Sequence, residues 1–275
     1  LEVEVLVESQ GNSEQAKAYA INRATGDVLL FLCADNVLRD HHFIKKMLWW
    51  ERYSGIDGAF PAYYDYVPGD RPLSRYYALI GGNDPLSWWL GKNDRWPWQS
   101  VRQKRWVQTF TDRIPAIGDN GVFLRRALMS KVDPDTHFCI DAIEDIRKRL
   151  GSLTFAIRYD TAVWHKSGDS VWTYLKNRYR YTKELYWRDY GKRRWKMVET
   201  PKDWVRAVLF GVCSVLVFPG VFVSIAGYRR IRDWSWFLHP LLCLGLSTLY
   251  AWLLVRFGIA RLFAHWIAPL RTHDW

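Results

Sequence analysis

Two carboxylate groupings in this chain have residue types and settings suited to chemistry. The first is Asp35-Asn36. It follows Val28–Leu32, an unbroken apolar run entered through the turn pair Gly26-Asp27. Such a run reads as a strand buried on both faces. A carboxylate just past the carboxyl end of that strand stands where open α/β sheets bind ligands. There it can hold a hard divalent cation against a phosphate. The competing role for Asp35 is capping the helix expected over residues 38–53. The second grouping is Glu144-Asp145, inside a stretch (residues 141–151) that reads as a helix closed by Gly151. Carboxylates near a helix N-terminus also suit the helix dipole, so the pair alone fixes no role.

Two further pieces bear on these. Gly118-Asp119-Asn120-Gly121 sets two polar side chains between glycines that permit close backbone approach; an ordinary Asx turn is the alternative. His165, in Val163-Trp164-His165-Lys166, follows a strand expected over residues 153–159. An imidazole there is either a ligand to a cation or a hydrogen-bonding prop.

The elements that must position these groups can be read from period and punctuation. Residues 1–7 alternate Val3, Val5 and Val7 with Glu2 and Glu4, a strand pattern. Residues 9–12 suggest a loop and residues 14–24 a short helix. In residues 38–53, Phe43, Ile44, Met47 and Leu48 form one helical face. Residues 57–64 read as a strand. Residues 65–113 mix turn formers with Trp88-Trp89 and Asp94-Arg95-Trp96-Pro97-Trp98. They suggest loops and short helices that line a cleft, touch lipid, or pack on the domain as an insertion.

The order strand, loop, helix, Gly26-Asp27, apolar strand, Asp35, with Gly118 to Gly121 and Glu144-Asp145 with Arg149 following, resembles the family 2 glycosyltransferases of the GT-A fold. The resemblance covers about residues 1–170. It implies an α/β, Rossmann-like nucleotide-sugar-binding domain. It assigns Asp27, Asp35, Asn36, Gly118, Asp119, Asn120 and Arg149 to the donor, with Asp119 and Asn120 on sugar hydroxyls. Asp35 and His165 would hold Mg²⁺ or Mn²⁺. Asp145 would be the general base of an inverting transfer, with Glu144 positioning it or a sugar hydroxyl. The family's Asp-x-Asp motif departs here, with Cys33 in place of its first Asp. A neutral thiol is a poor Mg²⁺ ligand, so a catalytically degenerate sugar- or lipid-binding scaffold is the alternative reading. The chain starts inside the first expected strand, and the resemblance implies a missing strand before it.

The totals set bounds. The 275 residues can hold one sizeable α/β domain and an appendage. A net charge of +11 suits an anionic membrane or nucleic acid. Seventeen Trp residues favour a membrane interface. Cys33, Cys139, Cys213 and Cys243 lack metal-type spacing and suggest neither a disulfide framework nor a zinc site. No signal peptide is visible. Residues 166–206 interleave Lys and Arg with Trp and Tyr, a pattern for an anionic leaflet or for single-stranded nucleic acid. The apolar runs that follow, residues 207–228 and 236–255, decide for the membrane, since each is long enough to cross it. Pro219-Gly220 interrupts the first run.

The expected organisation is therefore a catalytic domain over residues 1–165, basic aromatic interfacial helices over 166–206, and a membrane region over 207–275. That last region holds two spanning or re-entrant helices and an amphipathic terminal helix from residue 259. The basic cluster at residues 192–196 puts the catalytic domain on the cytoplasmic face. Expected partners are a UDP- or GDP-sugar, a lipid-linked or glycan acceptor and membrane lipids, but not nucleic acid.

Overall fold

The computed structural model describes residues 2–7, 13–98, 100, 105–132, 140–166, 170–187 and 191–258. The loop expected around residues 8–12, Cys139 and the terminal helix expected from residue 259 lie outside the described residues. The chain forms two compact units. One comprises Leu1–Gly168 with Lys192–Asp203, the other Asp169–Gly191 with Trp204–Trp275.

The first unit is mixed α/β. In chain order it holds α1 (Ser13–Arg23), β1 (Val28–Leu32), β2 (Asn36–Val37), α2 (Phe43–Met47), β3 (Gly58–Pro61), α3 (Pro72–Ile80), α4 (Pro85–Trp89), β4 (Arg105–Phe110), β5 (Asn120–Arg125), α5 (Ile140–Leu150), β6 (Leu153–Arg158) and β7 (Trp164–His165). Five strands make one sheet in the order β1-β5-β3-β6-β4. β5 runs antiparallel to both β1 and β3, and β3 runs parallel to β6, so β1, β3 and β6 point the same way. β2 and β7 pair separately, with Asn36 opposite His165.

Alternation along β3 shows how the layers form. Phe60 packs on one face with Ile143 and Ile146 of α5, while Ala59 packs on the other with Phe43 and Met47 of α2. Fully burying a Phe, Ile or Met side chain stabilises by about 1.5–3 kcal/mol. The helix ends carry ordinary chemistry. Pro72 and Pro85 open α3 and α4, where a missing N–H costs nothing. Asp84 caps α4 by accepting from the Leu86 N–H at 2.8 Å. Gly151, at φ 81°, closes α5 as its sequence position suggests.

Four expectations need correction. Residues 2–7 form no strand among the described residues, and their alternating valines face solvent, Val7 at 89% exposure. Alternation marks a strand only where a sheet edge receives it, and the contact shown here is Glu4 accepting from the Thr25 N–H and hydroxyl. β1 is not buried on both faces. It is an edge strand in which Leu29 and Phe31 are buried on one face, Val28 and Leu30 are half-buried against the cluster of Phe43 and Phe123 on the other, and Leu32 is exposed. The helix expected over residues 38–53 shrinks to α2 plus a 3-10 turn, Leu48–Trp50. Asp40 makes a turn that accepts from the His42 N–H and delays the helix start. Residues 65–113 contain, besides α3 and α4, the strand β4.

The second unit is helical, with α6 (Val171–Tyr181), most of α7 (Pro201–Leu216), α8 (Phe218–Arg230) and α9 (Leu238–Leu253). The continuous helical stretch Trp234–Gly258, which contains an 18-residue window of mean hydropathy 1.7, is long and apolar enough to cross a membrane. α7 and α8 meet that test only together, and they are bent by 87° at their junction.

Candidate functional site

Because β1, β3 and β6 are parallel and β5 opposes them, the carboxyl ends of the first three and the start of β5 share one edge of the sheet. Leu32 pairs with Asn120 there, and Cys33 N–H donates to the Asp119 carbonyl at 2.9 Å. The turn after β1 thus meets the turn before β5. β7 follows β6 and pairs with β2, which brings His165 beside Asp35. The Lys166 N–H donates to the Asp35 carbonyl at 2.8 Å. Gly121 makes this approach possible. Its φ is 83°, and a Cβ there would come within 2.6 Å of Val163 Cγ2.

Side chains from separate stretches of sequence converge at this edge. Asp35 Oδ2 lies 3.1 Å from His165 Nε2. Asn36 Nδ2 donates to Asp35 Oδ1 and to Asn120 Oδ1, each at 2.9 Å. Asn120 Nδ2 donates to the Tyr64 hydroxyl at 2.7 Å, and that hydroxyl donates to Asp94. Arg95 donates to the Asn120 carbonyl and lies over the rings of Phe60 and Tyr64. On the other flank Asp119 binds Lys17 and accepts from the Cys33 thiol at 2.9 Å. His165 is held edge-on by Tyr64, with ring centroids 5.2 Å apart.

The electrostatics follow from these contacts. The hydrogen bond from His165 holds the Asp35 carboxyl below its usual range. Burial pushes Asp119 up, but the Lys17 charge and the Cys33 and Lys17 hydrogen bonds outweigh it, so its carboxyl also titrates low. Burial, then the Asp119 charge, pushes the Cys33 thiol far above the ordinary range, so it is a neutral donor. Burial, seconded by Asp94, raises the Tyr64 phenol in the same way.

The donor set fits a divalent cation in part. Two ligands at adjacent corners of an octahedron with bonds of about 2.1 Å lie about 3 Å apart, which matches Asp35 Oδ2 and His165 Nε2. The Asp35 side chain is 52% exposed, so the outer corners are open. Two buried atoms at this edge have no hydrogen-bond partner, His165 Nδ1 and Asn36 Oδ1. Among the described residues no group of three or more His, Cys, Asp or Glu side chains gathers to hold a metal ion. Any cation here would take its remaining ligands from water and phosphate, as Mg²⁺ commonly does.

The remaining sequence candidates lie elsewhere. Glu144, Asp145 and Arg149 sit on α5 in their own ion pairs. Glu144 takes a two-pronged contact from Arg147, at 2.9 and 2.7 Å, and Asp145 pairs with Arg149 at 3.1 Å. Asp141, one turn before, holds the loop after Gly191. It accepts from the Arg194 and Trp195 N–H groups and pairs with Arg193 at 2.6 Å. Asp27 does not join the cluster. It is exposed at the amino end of β1, roughly 20 Å along the strand from the Asp35 turn. Gly118 is buried in the turn leading to β5.

Sequence reading missed Lys17, Tyr64, Asp94 and Arg95. Asp94-Arg95 stands in the aromatic stretch Asp94-Arg95-Trp96-Pro97-Trp98, but nothing in its spacing points to Asn120. Beside the cluster a cavity of about 590 Å³ is lined by Arg95 and by Trp88, Trp96, Gln108, Asp112 and Arg113 among others. Comparison of the sequence with protein-family models and with curated proteins returns no match.

Proposed function

We propose that the chain is a membrane-bound inverting glycosyltransferase of the GT-A type. It would move a sugar from a UDP- or GDP-sugar to a lipid-linked or glycan acceptor. The observation that carries this reading is the convergence of Asp35, Asn36, Asp119, Asn120 and His165 at the carboxyl edge of the parallel strands, where α/β sheets take their ligands.

Asp35 and His165 would hold Mg²⁺ or Mn²⁺, which supplies charge neutralisation to a departing diphosphate. Asn36 orients the Asp35 carboxylate through its 2.9 Å hydrogen bond. Asp119 and Asn120 present oxygens to sugar hydroxyls, and Lys17 adds a cation on that flank. Asp145 takes the proton from an acceptor hydroxyl, while Glu144, fixed by Arg147 of the same helix, positions Asp145 or a sugar hydroxyl. An acceptor that is already a phosphate anion needs no base, and Asp145 then only positions it. The cavity beside Arg95 is of a size to hold the acceptor end. The long apolar helix supports a membrane location, with the catalytic unit in the cytoplasm.

Cys33 favours a second reading, a degenerate scaffold that binds sugar or lipid without turnover, because it puts a neutral thiol where the family carries a carboxylate. One assay separates the two. The full chain in detergent is screened with UDP- and GDP-sugars and Mn²⁺ for nucleoside diphosphate release. We expect release that falls at least about 100-fold in Asp35→Ala, the equivalent of roughly 3 kcal/mol of lost charge stabilisation. Asp145→Asn is expected to lose about 10²–10⁴-fold with a hydroxyl acceptor and to stay active with a phosphate acceptor. No release from any donor, and no calorimetric binding of Mn²⁺ with UDP or GDP, would establish the scaffold.

A further inference from the structure

The junction of α7 and α8 is built to turn. Pro219 lacks an N–H and its ring clashes with the preceding turn, so α7 cannot run through it. Val217 takes φ 62°, a conformation costing a β-branched residue about 1–3 kcal/mol. The two helices leave this point bent by 87°. No Asp, Glu, Lys or Arg occurs from residue 207 to 228. The surface around the bend is apolar and uncovered, with Val208, Val212, Val215, Leu216, Phe218 and Phe222 all more than half exposed.

Charge and length say what covers it. α7 has 16 residues and α8 has 13, about 24 and 20 Å of helix. A symmetric V with that bend reaches about 17 and 13 Å from its open ends, close to one leaflet, half of the ~30 Å hydrocarbon core. Both open ends are basic. Lys202 and Arg206 begin one arm, while Arg229, Arg230 and Arg232 end the other. The return arm is fastened to the next helix. Ser224 donates to the Trp236 carbonyl at 2.8 Å, and a Cβ on Gly227 would come within 2.3 Å of the Trp236 ring. That contact sets the arginines beside an aromatic cluster, Tyr228, Trp234 and Phe237, with ring centroids 5.0 to 5.7 Å apart. Aromatic rings beside arginines are the composition of a headgroup layer.

We propose that residues 201–230 form a re-entrant V that enters one leaflet of an anionic bilayer and returns to the same face. Arg206 and the Arg229, Arg230, Arg232 group then meet the headgroups of that leaflet, and Trp234–Gly258 crosses alone. This rests on the membrane-bound reading above. It also removes a conflict, since a straight span would carry three arginines across the membrane against the positive-inside tendency.

The test uses the full chain in sealed membrane vesicles of both orientations, with its four cysteines replaced by Ser. Lys202→Cys, Phe218→Cys and Arg230→Cys are introduced singly and probed with a membrane-impermeant maleimide. Lys202→Cys and Arg230→Cys should react from the same face at least 10-fold faster than from the other, and Phe218→Cys from neither. A protease site inserted after Ile231, in the chain with native cysteines, should be cut from the face where Lys202→Cys reacts. Labelling of Arg230→Cys from the opposite face, or of Phe218→Cys from either face, overturns the V and leaves membrane binding intact. A chain that washes off the vesicles in alkaline carbonate overturns both.

Discussion

The molecule holds two acidic groupings built from the same residue types and left in opposite states. At the sheet edge, Asp35 meets one imidazole and one amide and is half open to solvent. On α5, Glu144 is 3% exposed and spends both carboxylate oxygens on one guanidinium. A carboxylate whose oxygens are already taken by a buried arginine has little left for a ligand. One with an open side and buried orphan neighbours has capacity to spare. The difference separates a site from the scaffold behind it, and adjacent residues fall on different sides of it. Glu144 is saturated, whereas Asp145 pairs with Arg149, which is exposed. Asp145 is itself buried, with Arg194 3.9 Å from its other oxygen, so only the arginine end of its pair with Arg149 is open to exchange.

The largest expected effect lies on the saturated side. Arg147→Met would leave Glu144 buried beside Lys148, whose ammonium lies 3.6 Å away, and breaking such a pair costs about 3–5 kcal/mol. Urea unfolding of the full chain in detergent should show a loss of that size, mostly recovered in the double variant Glu144→Leu, Arg147→Met. Asp35→Ala, by contrast, should cost under about 1 kcal/mol in stability while removing the proposed transferase activity. Equal destabilisation by the two would erase the distinction.

The sheet edge was partly legible in the sequence because its members sit at marked places. Asp35 and Asn36 end an apolar run, Asn120 lies between glycines, and His165 follows a strand. Lys17, Tyr64, Asp94 and Arg95 were not legible, because they reach the cluster through strand order and loop folding rather than local pattern. β4 was missed for a local reason. Its inner positions are Trp106, Gln108 and Phe110, and the amide breaks an alternation whose outer side carries the apolar Val107. Residues 2–7 erred the other way, since a clean alternation meets no strand partner among the described residues. At residues 217–220, Pro219-Gly220 was visible as a break. Such pairs are tolerated in membrane helices, so the size of the turn came only from Val217 and its backbone.

A middle-sized effect follows from pH. Asp35 and Asp119 both titrate below the ordinary Asp value of about 3.9 in the folded chain, as does Asp40, at about 2 through Lys46. Carboxyls depressed by folding add stability that is present above the unfolded value and lost as pH falls through the folded one. Asp57 and Asp65, raised by burial, oppose this in part. The urea midpoint should therefore fall between pH 4 and pH 2. Asp119→Asn should shallow that fall by removing one of the depressed carboxyls. An acid limb unchanged in Asp119→Asn would mean that the Lys17 contact does not hold its charge.

The smallest effect is expected of Cys33→Ser, at the residue that separates this edge from a two-carboxylate metal site. Its thiol donates to Asp119 at 2.9 Å, and burial together with that charge keeps it protonated. A hydroxyl makes the same donation, so Cys33→Ser should shift stability by about 0.5 kcal/mol or less, while Cys33→Ala forfeits a bond to a charged acceptor worth about 1.5–3 kcal/mol. Reactivity gives a second measure. A thiol held neutral is a poor nucleophile, so alkylation of Cys33 by iodoacetamide at pH 8 should run at least 10-fold slower than that of a small free thiol. Alkylation at the free-thiol rate would mean that Cys33 ionises readily. A thiolate beside Asp35 could itself join a soft metal, and the edge would then belong to a different class of cation than the Mg²⁺ or Mn²⁺ proposed for Asp35 and His165.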